Sequence, residues 1–160
     1  MSGDQALAQR YKEVAVKTAN PLQLVVMMYD AAICSLKEAK EQLGRRDIAG
    51  RSRSINKCIS IISELQSCLN LKQGADIATS LDRLYDYMKR RIFTANVEQS
   101  IEPLEEIEAL LENLRSAWSE IGIQALGTEA ELSGQSLPKP DIFRSENPVA
   151  MQIKSLNISI

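Results

Sequence analysis

Four stretches of this chain repeat apolar side chains mostly at steps of three or four residues, and the last is the most regular. Leu104, Ile107, Leu111, Leu114, Trp118 and Ile121 follow one another at steps of 3, 4, 3, 4 and 3. Residues so spaced share one face of an α-helix but fall on both faces of a strand. An earlier run, Ile77, Leu81, Leu84, Met88, Ile92 and Ala95, steps in the same way, as does Val25, Tyr29, Ala32, Leu36, Ala39 and Leu43. Ile55, Cys58, Ile59, Ile62, Leu65 and Leu69 form the remaining stripe. A chain with four apolar stripes and no alternating run must bury them against one another as helices.

The boundaries follow from turn chemistry. Asn20 is a suitable N-cap, and Pro21 stands at the first helical position, where a missing N–H costs nothing. The first long helix is therefore expected from Asn20 to about Leu43, with Gly44 as its stop. Asp47 caps a second helix expected over about Ile48 to Leu71. A third should start near Asp76 and close at Asn96. A fourth should begin around Ser100, with Pro103 in its first turn, and end at Gly122. The short connections predict an all-α, antiparallel up-down four-helix bundle over residues 19–121. Residues 1–18 read as a separate N-terminal segment. Residues 122–160, with Pro138, Pro140 and Pro148, read as a flexible tail. The tail closes on Met151, Ile153, Leu156, Ile158 and Ile160, more apolar than a linker needs; a disordered end is the first expectation, and docking in the client groove or recruitment of another factor are the alternatives.

Composition excludes several functions. Histidine is absent, which removes Ser-His and Cys-His nucleophile pairs and Glu-x-x-His metal sites. No carboxylate pair sits on an apolar face and no glycine loop suits a phosphate, so neither catalysis, a cofactor nor a metal is expected. The three cysteines, Cys34, Cys58 and Cys68, lie in or beside the stripes and read as buried thiols. A formal charge of −2 with interspersed signs gives no attraction to nucleic acid, and Arg45, Arg46, Arg51 and Arg53 read as a solvated corner. No run approaches the roughly 18 apolar residues of a membrane span, and no signal-peptide core is present, so the expected location is the cytoplasm.

Two Tyr-Asp pairs, Tyr29-Asp30 and Tyr85-Asp86, follow leucine- and methionine-rich runs. Either their rings pack while the hydroxyls reach the bundle surface, or they line a groove, for which Met and Tyr are well suited.

Several motifs together resemble the flagellar secretion chaperone FliS family. They are Tyr11; Thr18-Ala19-Asn20-Pro21-Leu22-Gln23-Leu24 running into Met28-Tyr29-Asp30-Ala31-Ala32; Leu81-Asp82-Arg83-Leu84-Tyr85-Asp86-Tyr87-Met88 with Arg91-Ile92 and Ala95-Asn96; and Leu114-Arg115-Ser116-Ala117-Trp118. The resemblance covers about Tyr11 to Ile121, with Met28 where the family often has leucine. It implies a cytoplasmic export chaperone that binds the disordered C-terminal segment of flagellin in an apolar groove. Such a chaperone prevents premature polymerisation and keeps flagellin export-competent. The client-binding candidates are Leu22, Leu24, Met28, Tyr29 and Leu36 of the first helix, Ile55, Ile59 and Ile62 of the second, and Leu84, Tyr85 and Met88 of the third. For each, core packing is the competing role. The resemblance also makes Leu7 and Tyr11 candidates for a removable N-terminal cover and the export gate a candidate second partner. Monomer and homodimer are both compatible with it. The alternative from another class is a helical adaptor or nucleic-acid accessory protein, which a steep salt dependence of binding would reveal.

Overall fold

The computed structural model describes residues 5–10, 20–72 and 74–131, the side chains of 75 and 125–131 excepted. Tyr11, most of the N-terminal segment and the end of the tail lie outside the described residues. Residues 5–10 form a short helix, α1. Four long helices follow: α2 (Pro21–Gly44), α3 (Ile48–Ser67), α4 (Ala75–Glu98) and α5 (Glu102–Glu131). Each long helix packs on its two neighbours in a closed ring, α2 on α3 and α5, α4 on α3 and α5. The cross-links run in opposite senses along each pair. Asp30 meets Arg115 and Lys40 meets Glu108 between α2 and α5; Arg51 meets Asn96 and Gln66 meets Asp82 between α3 and α4. The bundle is therefore antiparallel, as the short connections predict.

Helix starts obey their caps. Asn20 accepts from the Gln23 N–H at 2.9 Å, and the Gln23 side chain accepts from the Asn20 N–H at 3.0 Å, a reciprocal capping box. Asp47 accepts from the Gly50 N–H at 2.9 Å. Gly50 is buried, and a Cβ there would come 2.1 Å from Asp47 Oδ2, so the cap itself demands glycine.

Helix ends depart from the sequence expectation. Gly44 stays helical, and the turn after it uses Arg46 at φ 58°. α3 stops at Ser67 instead of Leu71. There the N–H of Cys68 donates to the Glu64 carbonyl, and Cys68 and Leu69 turn into the core. α4 passes Asn96 and closes at Gln99, φ 53°. α5 does not end at Gly122 but continues to Glu131. Helix formers such as Ala125, Leu126, Glu129, Ala130 and Glu131 outweigh a glycine penalty of about 1 kcal/mol.

The core is built from Val25, Leu36, Ile55, Ile62, Leu65, Ile92, Leu104, Ile107 and Leu111, each at most 2% exposed, with further leucines and alanines between them. Two seam positions are not core: Ile77 is 59% exposed while its neighbour Ala78 is fully buried, and Ile121 is 39% exposed. The apolar face thus begins one residue later on α4 than the spacing alone suggests.

Candidate functional site

The two Tyr-Asp pairs do the same thing on diagonally opposed helices. Both tyrosines are fully buried, and their hydroxyls meet at 2.5 Å. They do not reach the bundle surface as one sequence reading expected. The Trp118 indole N–H from α5 also donates to Tyr29. A buried hydroxyl needs such partners. Burial raises the pKa of Tyr29 above that of a free tyrosine, and that of Tyr85 is raised by burial first and then by Tyr29 and Cys68. Both remain neutral hydrogen-bonding groups.

The aspartates turn outward and clamp the next helix. Asp30 takes Arg115 of α5 at 2.5 Å and 3.4 Å. Asp86 accepts from Gln66 of α3 at 3.0 Å and pairs with Lys89 at 3.1 Å, and these contacts hold its carboxyl below the usual range, Gln66 foremost. A similar outer clamp joins α4 to α5. There Glu106 accepts from Tyr87 and pairs with Arg91 at 2.5 Å.

Arg51, read from sequence as part of a solvated corner, is 3% exposed. Its guanidinium donates to the Asn96 side chain at 3.0 Å and to the Asn96 carbonyl at 3.5 Å. That carbonyl belongs to the last turn of α4, where carbonyls lack helical partners and the dipole is negative. Arg51 is therefore a cap for α4. Cys34, expected to be buried, is exposed, while Cys58 and Cys68 are buried free thiols. Among the described residues no group of cysteines and carboxylates could hold a metal, and no helix is long and apolar enough to cross a membrane.

Of the eleven candidates for client contact, Leu24, Met28, Tyr29, Leu36, Ile55, Ile62, Tyr85 and Met88 lie in the core. Leu22, Ile59 and Leu84 are half-buried against it. Leu7 on α1 is exposed.

Uncovered apolar surface lies instead at the two ends of the bundle. Where α4 finishes and α3 starts, Phe93 (62% exposed), Val97, Ile101 and Ile48 are open to solvent. At the opposite end, between the first turns of α2 and the later turns of α5, runs a groove of about 280 Å³. Its walls include Leu22, Val26, Met27, Trp118 and Ile123, with Asn20, Gln23 and Ser119 at its polar points. Sequence reasoning passed over Phe93 and Val97. The available signal was that both fall off the α4 stripe, where an apolar residue has no packing reason to be.

Large apolar side chains left open on a closed helical core are candidates for contact with another polypeptide. Comparison with known proteins supplies the family. The family described as Flagellar protein FliS matches residues 3–125. The flagellar secretion chaperone FliS of Salmonella typhimurium is 39% identical over 125 residues, 78% of this chain and 93% of the relative. That of Escherichia coli is 35% identical over 119 residues, 74% and 88% of the two chains, and that of Vibrio cholerae 33% over 117, 71% and 86%. The chain belongs to the FliS family, a family of flagellar secretion chaperones and not of enzymes.

Proposed function

We propose that this protein binds the C-terminal segment of flagellin in the cytoplasm, shields its apolar face from premature polymerisation and holds it ready for export. The observation that carries this reading is the uncovered apolar surface on an otherwise complete bundle. The described core is closed without Phe93, Val97 and Ile48, and the α2–α5 groove lies open along its edge. An amphipathic helix laid on such surface replaces water with apolar contact, without chemistry or cofactor.

Within this reading the eleven candidates divide by exposure. Leu22, Ile59 and Leu84 touch the client directly. The eight core residues set the spacing of the helices and so the shape of the surface. Leu7 and Tyr11 act as the removable cover, and the export gate is the second partner that receives the complex.

Calorimetric titration with the C-terminal peptide of the organism's own flagellin, with helicity followed by circular dichroism, tests the proposal. Submicromolar one-to-one binding with a negative heat-capacity change and a gain in helix is expected. Absence of heat and of helix gain with both partners folded would reject it.

A further inference from the structure

The groove between α2 and α5 has an occupant at hand within the same chain. We propose that the apolar segment Met151, Ile153, Leu156, Ile158 and Ile160 docks in this groove in cis and competes there for client.

Three observations converge on it. The groove is concave, apolar on several sides and about 280 Å³ in volume, roughly twice a cavity that accepts benzene. It therefore takes two or three branched side chains at a time. Next, the family match stops at residue 125, so the segment that supplies these side chains belongs to a part of this chain outside the shared bundle. Residues 151–160 hold five large apolar side chains and one charge, Lys154. Leu156, Ile158 and Ile160 are spaced by two, so in an extended segment these three would fall on one side.

The third is reach. α5 carries the chain past Ile123, a groove wall, to Glu131, about 12 Å further along the helix. Residues 132–150 then supply up to about 60 Å of contour, ample for the return. A segment tethered this way acts at an effective concentration in the mM range. A second copy at micromolar concentration cannot match that. Docking of the tail stands on these observations alone, whereas competition with client rests on the chaperone reading.

The methionines provide the test in the full chain. Met27 lines the groove, Met28 and Met88 lie in the core, and Met151 belongs to the docking segment. With 13C-labelled methionine methyls, Ile153→Asp, Leu156→Asp and Ile158→Asp combined should shift Met27 and Met151 while leaving Met28 and Met88 in place. Nuclear Overhauser contacts between the Met27 methyl and the tail should vanish in the variant. The same variant should bind the flagellin peptide roughly three- to tenfold more tightly.

An unmoved Met27 methyl would overturn the docking. So would a Met27 shift that appears only as protein concentration rises, which would give the groove to a second copy. A Met27 methyl that answers to Leu7→Asp and Tyr11→Asp but not to the tail substitutions would give the groove to the N-terminal segment and also overturn it. Met27 shifting as expected, with no peptide binding by either protein, would uphold docking and reject the chaperone reading separately.

Discussion

The hydroxyls of Tyr29 and Tyr85 meet at 2.5 Å in the centre of the bundle, joining α2 to α4, two helices that stand diagonally across the ring. Tyr29 also receives the Trp118 N–H, so its oxygen serves two partners. Tyr29→Phe should therefore cost more than Tyr85→Phe, about 2–3 kcal/mol against about 1–2, because it strands two buried polar groups instead of one. The double variant should cost less than the sum of the singles. Urea denaturation of the four proteins measures this, and strict additivity would mean that the two hydroxyls do not depend on each other.

The same pair sets the alkaline limit. Folding holds both tyrosines neutral above the ordinary value near 10, while in the unfolded chain they ionise there. Above that pH the unfolded state binds fewer protons, so stability falls as pH rises. Below about pH 10 this contribution is fully present. Melting temperature against pH should drop more steeply for the parent than for the Tyr29→Phe, Tyr85→Phe double variant. Parallel curves would assign the loss to other groups.

Two arginines that look alike in sequence should behave differently. Arg115 and Asp30 are both more than 40% exposed at the side chain, so Arg115→Ala should cost under about 1 kcal/mol, and less in high salt. Arg51 is buried and caps α4. Arg51→Ala should cost on the order of 2–3 kcal/mol with little salt dependence. Chemical denaturation at low salt and at 1 M salt separates the two.

The open apolar end should be functional and not structural. Phe93→Asp and Val97→Asp remove side chains that are 62% and 65% exposed, so each should leave stability within about 0.5 kcal/mol. Each should also weaken flagellin-peptide binding roughly tenfold or more if its ring or branched chain anchors the client. Unchanged binding in both would move the client to another face.

The four long helices, their order and both side-chain N-caps were legible because each rests on local signals. Asn20 with Pro21 and Asp47 carry their hydrogen-bond geometry in their own side chains. The ends were less legible, because Arg46 and Gln99 take left-handed turns that glycine or asparagine would normally advertise. The α5 terminus was misplaced because Gly122 reads as a stop only where nothing helical follows it.

The site was harder still. A stripe says that one face is apolar, and Tyr29, Met28 and Met88 satisfy that equally well as core or as groove. The decision depends on whether four stripes close completely over one another, which is a property of their mutual packing. It left Leu22, Ile59 and Leu84 at the margin and the other eight inside.

The position of the open apolar surface at opposite ends of the bundle acts as a gauge of length. α2 spans Pro21 to Gly44, 24 residues, or about 36 Å at 1.5 Å per residue. A single segment touching both Ile123 at one end and Phe93 at the other must bridge most of that distance. As helix it needs on the order of 20 residues or more, and as extended chain about ten. A shorter peptide can satisfy one end only, so affinity plotted against client length should rise in two steps rather than smoothly.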